Sequence, residues 1–123
     1  HMCNQFIFNS LYILYVFVAK IIRRNGYTAE AHIIQSEDGY LLEYHRIPHA
    51  KKKITSTQKY PILLHHGLLC SSADWVMNGP GKALAYRLAD EGYDVWLANG
   101  RGNTYSRSHI TLNPSNRSFW DFS

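Results

Sequence analysis

The sequence predicts an α/β fold in which an antiparallel hairpin precedes parallel strands joined by a crossover helix. Two strand-like segments flank Asp38-Gly39, a dipeptide that favours the positive φ angles of a tight hairpin turn. Two continuous apolar runs follow at 60–64 and 93–97, with a helix-like segment between them. Continuous apolarity is typical of strands covered on both faces, and a helix between two such strands indicates a parallel crossover. We therefore expect one mixed sheet.

The N-terminal elements are predicted from turn and helix-stop residues. A basic last turn before Asn25-Gly26 predicts the end of a first helix. The two strands of the hairpin are predicted over 31–36 and 41–47, and Pro48 ends the second of them. The polar, lysine-rich composition of 49–59 predicts a loop.

The second half of the chain supplies the parallel part of the sheet. The run at 60–64 predicts a central strand that is buried on both faces. A helix over 82–91 carries its leucines on one face and ends at Gly92. A further buried strand over 93–97 ends in a polar, glycine-rich loop.

The composition excludes wholesale disorder and gives no sign of nucleic-acid binding. The 123 residues are 46% hydrophobic and 18% charged, as in ordinary folded domains. The formal net charge is +4, and the lysine tract at 51–53 is interpreted as a solvated loop. No basic face or recognisable module predicts a nucleic-acid partner. Two cysteines, Cys3 and Cys70, are too few for a disulfide framework, and Cys70 is interpreted as a small apolar residue.

Residues 1–19 are predicted to form an apolar segment that precedes the domain over 20–123. The run at 6–19 has the length of a signal-peptide core and is short for a membrane span, which needs about 20 residues. Basic residues follow this run, and in an anchored protein that order keeps the downstream domain in the cytosol. The alternatives are a signal peptide or membrane anchor, an interfacial or core helix, and a non-native segment, since His1 precedes Met2.

The segment most informative about function is His66-Gly67-Leu68, which directly follows the apolar run at 60–64. A glycine in such a turn allows backbone conformations that other residues resist. The N–H groups of the turned backbone then face a cleft, where they are placed to bind the oxyanion of an acyl-transfer reaction. The complementary G-x-S-x-G sequence, which carries the nucleophile, does not occur in the 123 residues.

Seven short motifs occur in a fixed order between residue 21 and the end of the chain. They are Ser36-Glu37-Asp38-Gly39-Tyr40, Arg46-Ile47-Pro48, His66-Gly67-Leu68-Leu69, Leu88-Ala89-Asp90, Gly92-Tyr93-Asp94-Val95-Trp96-Leu97, Arg101-Gly102-Asn103-Thr104 and Phe119-Trp120-Asp121-Phe122-Ser123. In this order and spacing the sequence resembles the acid lipases, a family of gastric and lysosomal enzymes and their insect relatives. The insect branch is the most similar, judging by residues 70–75.

The resemblance implies the N-terminal portion of an α/β-hydrolase, with an incomplete sheet and no cofactor. Members cleave triacylglycerols or cholesteryl esters through a Ser-His-Asp triad, so the expected partner is a lipid ester. By the same resemblance the backbone N–H of Leu68 is an oxyanion donor, and His66 and Gly67 order its loop. Nucleophile, acid, base and lid belong beyond Ser123 in the family, so this chain alone is predicted to be inactive.

Three positions depart from the family pattern. Relatives usually have Gln where this chain has His65, so His65 is not assigned as a catalytic base. Relatives often have Gly and Ser where this chain has Ala98 and Gly100; both exchanges between small residues are expected to be tolerated, and the resulting Asn99-Gly100 pair predicts a more flexible loop.

Other candidate sites have simpler interpretations. His65 and His66 are adjacent, so on a strand they point to opposite faces, and no further ligand completes a metal site. Arg101 is interpreted as a structural residue that pairs with an acid near the active-site floor. Asn116 begins a glycosylation sequon, which is used only in the secretory pathway. The loop serines lack the flanking glycines of a nucleophile elbow, and we expect no metal.

Two further functions are kept as alternatives. The first is a non-catalytic, truncated, lipase-like segment that associates with a membrane or lipid surface through residues 6–19. In such a piece the strand near 93–97 is predicted to be an exposed edge. The second is an α/β-hydrolase of another specificity, such as an epoxide hydrolase, which the motif at 119–123 disfavours. By resemblance the protein is secreted or lysosomal, and an anchor at 6–19 predicts membrane attachment instead.

Overall fold

The computed structural model describes residues 17–51 and 59–122. Two helices, five strands and two 3₁₀ turns are formed within these ranges. They are α1 (Phe17–Arg24), β1 (Glu30–Gln35), β2 (Tyr40–Ile47), β3 (Pro61–Leu64), a first 3₁₀ turn (Ser72–Trp75), α2 (Leu84–Asp90), β4 (Asp94–Leu97), β5 (Ser108–His109) and a second 3₁₀ turn (Arg117–Trp120). The apolar run at 6–19 lies largely outside the described residues, and so does most of the lysine tract.

The strands form one mixed sheet in the order β1-β2-β4-β3, and β5 also pairs with β2. β1 and β2 are antiparallel along their length, and β3 and β4 are parallel. α2 lies between the two parallel strands in the chain. The predicted fold class, an antiparallel hairpin followed by a parallel pair with a crossover helix, is therefore confirmed.

The hairpin turn is fixed by local hydrogen bonds and by a left-handed glycine. The Tyr40 N–H donates to Ser36 Oγ at 2.9 Å, and the Ser36 hydroxyl donates to Asp38 Oδ1 at 2.6 Å. Gly39 has a φ of 90°. A Cβ at this position would lie 2.8 Å from Ile110 and 2.9 Å from His109, so both the turn and its neighbours require glycine.

The main core lies between the sheet and the two helices. It includes buried residues of α1, α2, β2 and β4, among them Val18, Ile22, Tyr86, Val95 and Leu97. The rings of Tyr27 and Tyr86 lie 4.6 Å apart, so the segment after α1 packs against α2. The Tyr27 hydroxyl also donates to the Asp90 carboxylate at 2.9 Å.

The predicted position of the sheet edge was wrong. Among the strands of residues 17–51 and 59–122, β4 lies between β2 and β3, so β3, and not the strand over 93–97, lies at an edge of the sheet. β3 is also not buried on both faces. Leu63 is 58% exposed, and the residues along β3 alternate between exposed and half-buried. An apolar sequence predicts that a strand is buried, but it does not identify the strands and helices that cover it.

The end of the described chain returns to the hairpin. Phe119 in the second 3₁₀ turn is fully buried, and its carbonyl accepts a 2.6 Å hydrogen bond from the Tyr40 hydroxyl. The Tyr40 ring contacts those of Phe119 and Phe122 edge-on, each at 5.3 Å. β5 and the two 3₁₀ turns are too short to produce a periodic sequence pattern, so none of them was predicted.

Candidate oxyanion-binding site

The candidate site is the loop between β3 and the first 3₁₀ turn, which we call the oxyanion loop (residues 65–71). It brings together the three predicted site residues His66, Gly67 and Leu68. Leu68 is 92% exposed and Leu69 is 80% exposed, so the tip of the loop presents two apolar side chains to solvent. Ladder pairing ends at Leu64, and the loop is therefore free to turn away from the sheet.

The conformational reason given for Gly67 was wrong. Gly67 does not have a positive φ, whereas Leu69 does, at 61°. A Cβ added at Gly67 would meet no atom within 4 Å. The absence of a side chain at Gly67 therefore leaves open space beside the loop backbone, which is a different use of glycine from the one expected.

Hydrogen bonds to its carbonyl oxygen fix the orientation of the peptide group between Gly67 and Leu68. Gly67 O accepts hydrogen bonds from His66 Nδ1 at 2.8 Å and from the Cys70 N–H at 3.1 Å. Within residues 17–51 and 59–122, no group accepts a hydrogen bond from the Leu68 N–H. Because the peptide is planar, fixing the Gly67 carbonyl also fixes the direction of this free N–H.

The protonation of the His66 ring follows from its hydrogen bonds. Gly100 N–H donates to His66 Nε2 at 2.9 Å, and a backbone N–H cannot act as an acceptor. Gly67 O can only accept, so His66 Nδ1 carries the proton. His66 is therefore a neutral imidazole with its proton on Nδ1, aimed at the Gly67–Leu68 peptide.

A buried polar cluster lies beneath the oxyanion loop. We call Glu43, His45, Ser72 and Asn99 the buried cluster, because each is at most 1% exposed. Glu43 and His45 face inward from β2. Ser72 N–H donates to Asn99 Oδ1 at 3.0 Å, and Asn99 Nδ2 donates to the Glu43 carbonyl at 2.8 Å. The expectation that Asn99-Gly100 forms a flexible loop was wrong for Asn99, which is fully buried and hydrogen-bonded.

The cluster also affects Tyr105. Burial raises the pKa of the Tyr105 hydroxyl, and the nearby Glu43 carboxylate raises it further. The Tyr105 ring contacts the His45 ring edge-on at 5.1 Å. This cluster was not predicted from the sequence. The available signal was Glu43 and His45 at alternate positions of a half-buried strand, which places them on the same face.

The remaining candidate residues occupy separate positions. The rings of His65 and His66 stack at 4.8 Å and do not point to opposite faces, because both follow the end of β3. No group of three potential metal ligands occurs among the described residues. Arg101 forms a 2.9 Å ion pair with Asp38, an acid of the hairpin turn. Asn116 is exposed at the start of the second 3₁₀ turn.

Cys70 is disulfide-bonded, so its interpretation as a small apolar residue was wrong. The other cysteine of the sequence, Cys3, lies outside the described residues.

Within the part of the chain that the structure describes, no helix has the length and apolar character needed to cross a membrane.

A family model of the partial α/β-hydrolase lipase region matches residues 18–79, about half of the chain. The chain belongs to this α/β-hydrolase lipase family. The match includes α1 except for its first residue, the hairpin, β3 and the oxyanion loop. Three of the seven motifs that predicted the family lie within the matched region, and the predicted family is confirmed.

The similar proteins of known name are also lipases. Over 106 residues the chain is 50% identical to Lipase lipl-1 of Caenorhabditis elegans, covering 85% of this chain and 26% of the relative. It is 52% identical over 106 residues to Lipase 1 of Drosophila melanogaster, covering 86% and 23%. It is 45% identical over 107 residues to the gastric triacylglycerol lipase of Homo sapiens, covering 86% and 27%. The chain spans about a quarter of the length of these relatives. Nematode and insect relatives are similarly close, so the insect-type grouping stays a prediction.

Proposed function

We propose that the full-length protein, meaning the complete product of the gene, is a lipase that hydrolyses lipid esters by acyl transfer to a serine nucleophile. Within it, this chain supplies one oxyanion donor, the Leu68 N–H. The observation that carries the proposal is the free Leu68 N–H on an exposed loop, with its peptide plane fixed by two hydrogen bonds to Gly67 O. A pre-oriented donor of this kind stabilises developing negative charge without reorganisation.

In the proposed reaction a serine attacks the acyl carbonyl, and the carbonyl oxygen becomes an oxyanion that accepts a hydrogen bond from Leu68 N–H. In α/β-hydrolases the second donor is the N–H after the nucleophile. The open space beside Gly67 supports approach of the acyl group to the loop backbone. The exposed side chains of Leu68 and Leu69 provide apolar contact for an acyl chain or for a covering segment of the full-length protein.

The substrate class and location are inferred from the family. One relative is named for triacylglycerol, and we propose that triacylglycerols or cholesteryl esters are the substrates here. The disulfide at Cys70 favours an oxidising compartment, since disulfides rarely persist in the cytosol. We therefore propose a secreted or lysosomal lipase, which is compatible with glycosylation at the exposed Asn116.

The test compares this chain with the full-length protein on short-chain and long-chain nitrophenyl esters, with a serine-reactive phosphonate as a covalent probe. We expect that only the full-length protein turns over the esters and that the phosphonate labels it at one serine. No phosphonate labelling and no turnover by the full-length protein would contradict the proposal and favour a non-catalytic lipase-like protein. Phosphonate-sensitive turnover by the 123-residue chain alone would contradict the assignment of the nucleophile to a residue outside it.

A further inference from the structure

The buried cluster places a carboxyl group in the protein interior with incomplete hydrogen bonding. The His45 Nε2 atom lies 2.9 Å from Glu43 Oε1, an ion-pair distance. Both atoms, and Glu43 Oε2, nevertheless have no well-directed hydrogen-bond partner among the described residues. Burial of an incompletely satisfied carboxylate is unfavourable, and such a group in a native structure commonly has a functional reason. The contacts of the cluster indicate which group it orients.

Hydrogen bonds connect the buried cluster to His66 through the side chain of Asn103. Asn99 Nδ2 donates to Ser72 Oγ at 3.1 Å, and Ser72 Oγ lies 2.9 Å from His45 Nδ1. Asn103 Nδ2 donates to Asn99 Oδ1 at 2.8 Å and lies 3.0 Å from His66 Nε2. His66 Nε2 is an acceptor, so the amide nitrogen of Asn103 donates to both neighbours.

Backbone groups prevent these side-chain amides from reversing. Ser72 N–H donates to Asn99 Oδ1, and Tyr105 N–H donates to Asn103 Oδ1 at 3.0 Å. A backbone N–H is only a donor, so each bond fixes which end of the amide is oxygen. The Asn103 amide therefore presents N–H groups, and not its oxygen, to the His66 ring.

We propose that Asn103, oriented by Asn99 and the buried cluster, is a positioning residue that keeps the His66 proton on Nδ1 and thereby aims the Leu68 N–H. The proposal rests on the proposed function, because the aimed group is the oxyanion donor. His66 Nδ1–H binds Gly67 O, and this carbonyl shares its peptide plane with the Leu68 N–H. A ring with its proton on Nε2 would lose both accepted hydrogen bonds and would face Gly67 O with a lone pair.

The test uses Asn103→Asp in the full-length protein, with Asn78→Asp as the control. The introduced carboxylate has nearly the same shape as the amide and keeps the acceptor for Tyr105 N–H, but it presents an oxygen to His66 Nε2 and favours a proton there. Asn78 is exposed and lies outside the oxyanion loop, and its replacement makes the same change of charge. Activity is measured as kcat and KM per phosphonate-titrated site, so that unfolded protein is not counted.

We expect Asn103→Asp to lower kcat about tenfold or more with little change in KM, as loss of an orienting partner does at other sites. The control is expected to keep the wild-type kcat. A kcat per titrated site equal to wild type for Asn103→Asp would overturn the proposal, whatever the variant's stability.

A second measurement does not depend on the proposed function. The ¹⁵N spectrum of imidazole-labelled full-length protein reports which ring nitrogen carries the proton, with the His66 signal identified by its absence from His66→Gln. We expect the proton on Nδ1 in the wild type and on Nε2 alone in Asn103→Asp. The same His66 signal in both proteins, or a variant ring with protons on both nitrogens, would overturn the positioning role, because the Nδ1–H bond to Gly67 O would remain. If esterase activity is absent but the signal shifts, the proposed function fails and the positioning of His66 stands.

Discussion

The carbonyl oxygen of Gly67 is the atom whose hydrogen bonds fix the conformation of the oxyanion loop. It accepts hydrogen bonds from a side chain, His66, and from a backbone group, the Cys70 N–H. Gly100 contributes from the opposite side of the His66 ring by donating its N–H to Nε2. These contacts explain why small or polar residues surround a loop whose tip is apolar.

Two glycines of the neighbouring loop give a matched test at the residue scale. Gly102 has a φ of 76°, and a Cβ there would lie 2.5 Å from the Trp120 ring. The φ of Gly100 is not positive, and the nearest atoms to an added Cβ are 3.6 Å away, in ordinary contact.

We expect Gly102→Ala to lower the free energy of unfolding of the full-length protein by about 2 kcal/mol or more, from backbone strain and overpacking. Gly100→Ala is expected to change it by less than about 0.5 kcal/mol. Urea unfolding of both variants measures the difference. Equal stabilities would show that the loop does not pack against Trp120 as described.

Among the elements, strand β2 contributes to the buried cluster with one face and to an ion-pair network with the other. Its inward-facing Glu43 and His45 belong to the buried cluster beneath the oxyanion loop. Its outward-facing Arg46 forms a bidentate ion pair with Asp94 at the start of β4, at 2.8 and 2.9 Å, and also binds Glu30 on β1. One arginine thus ties three strands together.

The Asp94 carboxyl gives a prediction for the pH dependence of stability. Its burial opposes ionisation, but hydrogen bonds from Arg46 and Trp96 and the charge of Arg46 outweigh burial and lower the Asp94 pKa. A carboxyl with a lowered folded-state pKa stabilises the fold above its unfolded pKa. That contribution is lost as the pH falls through the folded value.

We therefore expect the wild type to be more stable than Asp94→Asn at neutral pH, with the difference shrinking only below about pH 4, near the unfolded pKa of aspartate. Urea midpoints of both proteins between neutral and acid pH measure this difference. A difference that disappears well above about pH 4 would contradict the lowered pKa. Hydrogen bonds with His32 and, to a smaller extent, with Arg46 also lower the pKa of the Glu30 carboxyl against the opposing effect of its burial, so part of the acid transition remains in the variant.

For the whole molecule, the sequence was sufficient for the order of the main elements along the chain, for the antiparallel hairpin and for the parallel pair, but it did not show that β2 and β4 lie side by side. The Asp38-Gly39 turn and the apolar runs predicted the hairpin and the parallel pair, because local residue preferences encode both. The edge position of β3 depends on which strands pair across long sequence distances, and apolarity does not report this. The candidate loop was recognised from His66-Gly67-Leu68, but the buried Asn99 and the proton on His66 Nδ1 required coordinates, since they follow from contacts between residues far apart in the sequence.

Removal of the Leu68 N–H shows whether this single group is the oxyanion donor. Leu68→Pro removes the N–H, while Leu68→Ala keeps it and shortens a side chain that is 92% exposed. Leu68 is not among the residues with positive φ, so its backbone does not oppose proline in that respect.

The measurement is kcat per phosphonate-titrated site for both variants of the full-length protein. We expect Leu68→Pro to lower kcat roughly 10²–10³-fold, the usual effect of losing one oxyanion donor, and Leu68→Ala to lower it no more than a few fold. Equal kcat values for the two variants would contradict the assignment of Leu68 N–H to the oxyanion site.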